Sequence, residues 1–257
     1  MSNRKHTSSN TNDTSFIGSK LSFSGKEAYN LLRTNILFSV RKEDRRARVL
    51  GITSSVHGEG KSLTSTNLAY SLAENGYQVL LIECDLRLPT LGRKLGLPKK
   101  TGLSNILAGI DSDAIVLYKD VLVKGLNVVQ AGDIPPNPSE LLGSKQFQSL
   151  INNVSQSYDF IILDLPPVGE VTDALVVSKL TDSMIVVVRQ DYTNESDLNN
   201  TMRQLELVDA KVVGFVYNGG SGRKGKYGYG KYKYGKYGHY GKYSKYASAA
   251  KKNKPQS

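Results

Sequence analysis

The hydrophobic residues between positions 48 and 217 fall into short runs rich in valine, isoleucine and leucine that barely alternate with polar residues. Strands that are buried on both faces have this pattern. Between the runs, apolar residues recur at helical spacing. The pattern therefore predicts an α/β fold with a mostly parallel sheet flanked by helices. The predicted strands are 48–53, 78–83, 126–131, 160–165, 183–188 and 211–217, and the predicted helices are 61–75, 103–108, 139–153, 172–180 and 195–209.

Two polar ends flank this pattern. Residues 1–19 are rich in serine, threonine and asparagine, and we expect them to be disordered because they offer little apolar surface to bury. An amphipathic helix is predicted over 20–40. Apolar periodicity continues to the end of the last strand, so the folded domain is predicted to span 20–218. A flexible, basic tail over 219–257 follows.

The positive charge of the chain is concentrated in this tail. The formal net charge is +11, and of the 34 lysines and arginines eleven lie in 219–257, which contains no acidic residue. The remaining 23 basic residues balance the 23 acidic ones, so residues 1–218 are neutral overall. No apolar run reaches the roughly 20 residues that span a bilayer, and the N-terminus has no apolar signal core. The single cysteine, Cys84, fits a reducing compartment, and a cytoplasmic protein is expected.

The first predicted strand leads into a phosphate-binding loop. In SSVHGEGKSLTS, the residues Gly60, Lys61 and Ser62 form the GK[ST] core that opens onto a helix. Lys61 is expected to reach the β and γ phosphates of ATP, and the Ser62 hydroxyl to ligate Mg²⁺. The strict motif begins with glycine, where this chain has Ser55. The predicted nucleotide-binding residues of the loop are Gly58, Glu59, Gly60, Lys61, Ser62 and Leu63.

Acidic residues follow two later strands. VLLIECDLRLPT contains Glu83 and Asp85, and DFIILDLPPVGE contains Asp164. Ligands of open parallel sheets bind at the carboxyl ends of the strands, so these carboxylates are expected beside the phosphate loop. Carboxylate oxygens suit Mg²⁺, which predicts a metal site there.

Four motifs, in order, resemble those of the bacterial tyrosine kinases of capsule and exopolysaccharide export. HGEGKS is similar to the family's Walker A motif, LLIECDLRLPT to its Walker A′, FIILDLPP to its Walker B, and AGDIPPNPSELL to a further family segment. The resemblance covers about Gly25 to Asn218. It implies a P-loop NTPase fold like that of the MinD and ParA ATPases, and the activity of an ATP-dependent protein-tyrosine kinase.

The resemblance also implies roles for the site residues. Lys61 contacts the phosphates, and Asp85 and Asp164 join Ser62 in holding Mg²⁺, with Asp164 as the Walker B aspartate. The first Walker A′ aspartate, implicated in metal handling and in accepting the tyrosine proton, is replaced by Glu83 here. The four expected catalytic residues are Lys61, Glu83, Asp85 and Asp164.

Two further positions follow from the resemblance. EAYNLLR is similar to the family's self-association helix, with Glu27 and Arg33 matching and Asn30 standing in place of the middle arginine. A ring-like homo-oligomer is therefore expected. Asn218, at the end of the last strand, is expected to contact the adenine base.

The tail is expected to carry the phosphate acceptors. A tyrosine hydroxyl needs a positioned proton acceptor and an in-line γ-phosphate, and the stretch 225–246 holds eight tyrosines without a Val, Ile, Leu, Met, Phe or Trp. Autophosphorylation in trans within the oligomer is expected. The predicted acceptors are Tyr227, Tyr229, Tyr232, Tyr234, Tyr237, Tyr240, Tyr243 and Tyr246.

The family resemblance further implies a transmembrane adaptor of the chain-length-determinant type, which would hold the chain at the inner face of the membrane, and a cognate phosphotyrosine phosphatase. The sequence is also compatible with two other interpretations. One is a partition ATPase whose basic, aromatic tail binds nucleic acid, although IPPNPSELL and EAYNLLR fit it poorly and a nucleic-acid partner is not expected. The other is a non-catalytic, nucleotide-binding scaffold of polysaccharide export.

Overall fold

The computed structural model describes residues 17–40, 47–110 and 117–219. Six strands in these ranges form one parallel sheet in the order β3-β2-β4-β1-β5-β6. The strands are β1 (Arg48–Ser54), β2 (Val79–Glu83), β3 (Leu126–Val129), β4 (Phe160–Asp164), β5 (Ser183–Arg189) and β6 (Val212–Asn218). The helices are α1 (Phe23–Ser39), α2 (Lys61–Glu74), α3 (Leu91–Lys94), α4 (Leu103–Leu107), α5 (Pro138–Leu142), α6 (Lys145–Val154), α7 (Asp173–Ser178) and α8 (Glu195–Leu207).

Side chains along the central strands alternate between two hydrophobic layers. In β2, Leu80 and Ile82 pack in the layer that α6, α7 and α8 cover, whereas Leu81 packs in the layer of α1 and α2. Because both faces of these strands are buried, successive positions must be apolar. This confirms the predicted parallel sheet and explains why the strand sequences barely alternate.

The strand register brings the functional segments to one edge of the sheet. Asp164, the last residue of β4, pairs with Ile52 of β1 on one side and with Glu83 of β2 on the other. The loop that follows β1 leads directly into α2. The candidate phosphate loop and the predicted carboxylates are thus neighbours at the carboxyl ends of three adjacent strands.

The predicted helix over 139–153 is wrong as a single element. The structure has two helices there, α5 and α6, and α5 ends before Gly143. The hydroxyl of Ser144 caps the second helix by accepting a hydrogen bond from the Phe147 N–H at 3.2 Å. The short α3 was not predicted from the sequence.

The predicted disorder over 1–19 is also wrong for its last residues. Ile17 is buried, and Gly18–Lys20 form a 3₁₀ turn. The Gly18 N–H donates a hydrogen bond of 2.9 Å to the side-chain oxygen of Asn67 in α2. The prediction rested on the average composition of the segment, which is polar although Ile17 is apolar and buried. Residues 1–16 lie outside the described ranges.

Candidate active site

The phosphate loop, residues 55–62, presents a row of free backbone N–H groups. Within the part of the chain that the structure describes, no acceptor is found for the backbone N–H groups of residues 58–63. Gly60 precedes α2 with a φ of 98°, a left-handed conformation that favours glycine. Unpaired N–H groups at a helix start, where the helix dipole favours negative charge, form an anion site. They coincide with the six loop positions predicted to bind nucleotide.

Glu59 supports this loop with its side chain. Its buried carboxylate accepts hydrogen bonds from the N–H groups of Ser55 at 2.7 Å and Val56 at 2.9 Å, and the Thr193 hydroxyl also donates to it. The carboxylate is therefore turned towards the protein. Glu59 can therefore contact a phosphate through its backbone N–H but not through its side chain.

Lys61 and Asp85 form a buried ion pair beside the loop. Lys61 Nζ lies 3.1 Å from Asp85 Oδ2, and both side chains are 7% exposed. Asp85 also accepts a hydrogen bond from the Leu88 N–H at 3.1 Å, so the turn after β2 orients it. The structure thus brings together two of the predicted catalytic residues, which lie 24 positions apart in the sequence.

Asp164 offers an unpaired carboxylate oxygen at the same place. Its Oδ1 accepts a hydrogen bond from the Ser65 hydroxyl at 3.0 Å, whereas its buried Oδ2 has no partner among the described residues. Burial raises the pKa of Asp164, and the charge of Lys61 opposes this rise. An unpaired, buried carboxylate oxygen is costly unless a cation or a hydrogen-bond donor meets it.

The donors fit Mg²⁺ bound together with a phosphate. Within the described ranges, no group of three or more His, Cys, Asp or Glu side chains could hold a metal by itself. Mg²⁺ is commonly held by one or two carboxylates, water and substrate phosphates instead of a complete protein cage. Ser62 and Asp164, both buried beside the N–H row, are suitable oxygen donors for such a site.

Glu83 is bonded to the backbone through both carboxylate oxygens. Oε1 accepts hydrogen bonds from the N–H groups of Thr90 and Leu91, each at 2.6 Å, and Oε2 accepts one from Ala131 at 3.2 Å. Burial raises the pKa of Glu83, and these hydrogen bonds oppose the rise. The sequence predicts a catalytic residue here, but the structure places the carboxylate where it fastens the start of α3 and the segment that follows β3.

Shortening this side chain is expected to destabilise the fold. In Glu83→Asp the carboxylate is one methylene shorter and cannot keep all three backbone hydrogen bonds, so the free energy of unfolding is expected to fall by about 1.5–3 kcal/mol. Urea unfolding measures the change, and Glu140→Asp is the control, because this exposed carboxylate accepts a hydrogen bond from the Asn137 side chain and from no backbone N–H among the described residues. Unchanged stability together with faster phosphorylation would contradict this account.

The predicted self-association residues form a network within the chain. The Asn30 amide donates to Glu27 at 3.1 Å, and the Arg33 guanidinium donates to Asn30 at 2.9 Å and to the hydroxyl and carbonyl of Ser71 in α2 at 2.8 and 3.1 Å. Asn30, the position that departs from the similar self-association motif, thus links Glu27 to Arg33. These contacts fasten α1 to α2, and Arg33 is only partly available to a second subunit.

Asn218 lies against the phosphate loop. Its side-chain amide donates a hydrogen bond of 2.9 Å to the Glu59 carbonyl, and its side-chain oxygen accepts one from the Gly219 N–H. A Cβ atom at Gly60 would lie 2.0 Å from Asn218 Nδ2. A side chain at position 60 would therefore displace the Asn218 amide from the loop.

Gly60→Ala is expected to weaken nucleotide binding at least tenfold, because the methyl group displaces Asn218 and the left-handed φ becomes strained. Calorimetry with Mg·ADP measures the affinity. Gly76→Ala is the matched control. Gly76 also has a positive φ of 90°, but among the described residues no atom beyond its two chain neighbours lies within 4 Å of the added Cβ. Equal nucleotide affinity in both variants would show that the contact at Gly60 is unimportant.

Sequence reasoning missed a cluster that fastens the turn after β2. Arg87 donates two hydrogen bonds, of 2.8 and 3.0 Å, to the fully buried carboxylate of Asp173, and the Ser139 hydroxyl donates to the same carboxylate. Arg87 also contacts Ser139 at 3.1 Å. Two features of the sequence could have pointed to this cluster. Arg87 follows Asp85 by two positions, and Ser139 lies in the IPPNPSELL segment.

The predicted acceptor tyrosines, between 227 and 246, lie outside the described residues.

Comparisons with known proteins identify the family. The model of the AAA domain family matches residues 47–213. The putative tyrosine-protein kinase CapB of Staphylococcus aureus is 37% identical over 194 residues, which cover 75% of this chain and 83% of that one. The chain belongs to the bacterial tyrosine-protein kinase family. Its N–H row, Lys61–Asp85 pair and Asp164 are therefore features of a kinase domain.

Solved structures agree with this assignment. The kinase domain of the Escherichia coli tyrosine kinase ETK is similar with a TM-score of 0.75 and 28% identity, and covers 88% of this chain and 89% of its own. The chimerical protein CapA2B2 has a TM-score of 0.69 and 34% identity, with coverage of 74% and 83%. MinD of Pyrococcus furiosus, at 24% identity and a TM-score of 0.57, covers 69% and 75% and shares the fold. The predicted MinD-like fold of this kinase family member is confirmed.

Proposed function

We propose that the protein is an ATP-dependent tyrosine kinase that phosphorylates the tyrosine cluster of its own tail and regulates capsular or exopolysaccharide synthesis and export. Relatives at 37% identity named as tyrosine-protein kinases support the activity. The observation that carries the proposal is the convergence of six free backbone N–H groups, the buried Lys61–Asp85 pair and the unpaired oxygen of Asp164. These groups suit a triphosphate and its metal.

In this proposal the backbone N–H groups of residues 58–63 bind the phosphates of ATP, and the Lys61 ammonium group contacts the β and γ phosphates. Ser62, Asp85 and Asp164 would hold Mg²⁺, which would neutralise part of the charge of the phosphate oxygens. Lys61 would move away from Asp85 to reach the phosphate, and an Asp85 oxygen would then be available. Asn218 contributes at the edge of the nucleotide site, as its contact with the loop supports.

The transfer step needs little covalent chemistry from the protein. The tyrosine oxygen forms a bond to the γ phosphorus, the bond between that phosphorus and the β–γ bridging oxygen breaks, and ADP leaves. The phenolic proton passes to a carboxylate of the site. Glu83 is poorly placed to accept it, because both of its oxygens already accept backbone hydrogen bonds. Rate enhancement then comes from positioning and from stabilisation of charge.

The proposed assembly is a homo-oligomer in which one subunit phosphorylates the tail of another. Glu27 and Arg33 on α1 would contribute to the contact, with part of Arg33 engaged by Ser71 of its own chain. A transmembrane adaptor would hold the kinase at the inner face of the membrane, and the likeness to the chimerical protein CapA2B2 supports a partner polypeptide. No described helix is both long and apolar enough to cross a bilayer. A phosphotyrosine phosphatase would reverse the modification.

A mixing experiment tests the transfer between subunits. One chain carries Lys61→Met and keeps its tyrosines, so that it can only accept phosphate. The other carries phenylalanine at all eight tail tyrosines and keeps its active site, so that it can only donate. After incubation with Mg·ATP, phosphate on tail peptides of the Lys61→Met chain supports the proposal. Phosphate on tails of the wild type but never on the acceptor chain would show transfer within one chain.

A further inference from the structure

Three consecutive carbonyl oxygens of the phosphate loop each accept a hydrogen bond from a side chain that lies outside the loop. The donors come from the end of β5, from the turn that follows it and from the end of β6. The three pairs, donor first, are Tyr192 to His57 at 3.0 Å, Arg189 to Gly58 at 2.8 Å and Asn218 to Glu59 at 2.9 Å. We name Arg189, Tyr192 and Asn218 the carbonyl clasp.

Because the peptide bond is planar, a contact that fixes a carbonyl also fixes the direction of the following N–H group. In a trans peptide, the carbonyl of one residue and the N–H of the next lie in one plane and point in opposite directions. Fixing the carbonyls at positions 57–59 therefore also fixes the N–H groups at positions 58–60. These are the first three of the free N–H groups described above.

We propose that the carbonyl clasp positions the backbone N–H groups of residues 58–60 for the phosphates of the nucleotide. Its members act through the loop backbone, so they are positioning residues. The inference rests on the proposed function, because it requires that the loop bind a nucleotide. It assigns to Arg189 and Tyr192 a role in nucleotide affinity that no sequence motif of the loop indicates.

The clasp members also hold one another. The Arg189 guanidinium lies over the Tyr192 ring at 5.0 Å from its centroid. The Thr193 hydroxyl accepts a hydrogen bond from the Arg189 N–H and donates to the Glu59 carboxylate beneath the loop. A Cβ atom at Gly58 would lie 3.1 Å from the Tyr192 hydroxyl, so the ring is close against the loop. Contacts on several sides restrict the directions that the loop peptides can take.

Loss of a clasp contact should change nucleotide affinity, whereas loss of an ordinary surface contact should change only the stability of the fold. N–H groups that bind phosphate before and during transfer contribute equally to substrate and transition-state binding. Their misalignment raises KM and leaves kcat unchanged. A contact that only stabilises the fold lowers the melting temperature of the protein and leaves the affinity of the folded fraction for nucleotide unchanged.

The test uses the full chain with Tyr192→Phe, Arg189→Met and Arg189→Lys. Tyr192→Phe removes one neutral hydrogen bond and Arg189→Met one charge-assisted hydrogen bond. Each of these two variants is expected to weaken Mg·ADP binding and to raise KM for ATP about two- to tenfold, with kcat for tail phosphorylation nearly unchanged. Arg189→Lys keeps a donor and is expected to recover part of the affinity. Calorimetry with Mg·ADP gives the affinity independently of kinase activity.

Tyr118→Phe is the matched control. The Tyr118 hydroxyl also donates to a backbone carbonyl, that of Pro98 at 2.6 Å, but near the other edge of the sheet. The clasp alone would be overturned if the wild type binds Mg·ADP and Tyr192→Phe and Arg189→Met bind it as tightly as Tyr118→Phe does. Failure of the wild type to bind Mg·ADP would overturn the proposed function and the clasp with it.

Discussion

Lys61→Met is expected to reduce tail phosphorylation by at least about 10²-fold, the usual effect of removing one preorganised donor from a site that stabilises developing charge. The ammonium group of Lys61 lies beside the free N–H row and is buried with Asp85. Methionine keeps the length of the side chain and removes its charge. The rate of phosphate incorporation into the tail, measured by intact mass at saturating Mg·ATP, checks this prediction.

Loss of stability must be separated from loss of catalysis in this variant. Breaking a buried ion pair leaves Asp85 uncompensated and costs on the order of 3 kcal/mol. In Lys61→Met/Asp85→Asn the charge is removed from both positions, so stability should recover while the rate stays low. Lys99→Met, at an exposed pair with Asp133, is expected to leave the rate unchanged. A double variant that regains the wild-type rate would contradict the role of Lys61.

Asp164→Asn is expected to lower the phosphorylation rate by about 10²-fold or more without lowering stability. One oxygen of the buried carboxylate has no hydrogen-bond partner in the part of the chain that the structure describes, and burial raises the pKa of Asp164, so the charge is costly in the free protein. An amide of the same shape avoids that cost and is a poorer magnesium ligand. The expected combination is a melting temperature equal to or above that of the wild type, with little kinase activity.

Asp182→Asn serves as the control for this variant. Asp182 accepts a hydrogen bond of 2.7 Å from the Val49 N–H, at the amino-terminal edge of the sheet, so its side chain lies at the edge opposite the phosphate loop. The same substitution there is expected to leave the rate unchanged. Wild-type kinase activity in Asp164→Asn would rule out the proposed metal role of Asp164.

Local patterns were sufficient to predict the sheet and the place of the site. Runs such as FIILD are apolar at every position before the acidic residue because both strand faces are buried. The GK[ST] core follows β1 directly, and parallel strands bring their carboxyl ends together. For these reasons the proximity of Lys61, Asp85 and Asp164 could be expected from the sequence.

Side-chain directions could not be predicted in the same way. Glu59 belongs to the phosphate loop, yet its carboxylate turns back to bind two N–H groups of the loop. Glu83 meets backbone N–H groups as distant in sequence as Ala131, and Arg33 meets Ser71 in another helix. The direction of each of these side chains depends on which backbone groups remain unpaired near it in the folded chain. The local sequence contains no information about those groups.

The central claim is that this chain phosphorylates the tyrosines of its own tail. Intact-mass analysis after incubation with Mg·ATP, with peptide mapping, tests it most directly, alone and with the cytoplasmic segment of a candidate adaptor. We expect successive additions of one phosphate mass that map to residues 225–246 and are absent in Lys61→Met. Bound nucleotide without any added phosphate under either condition would contradict the account and favour a non-catalytic scaffold.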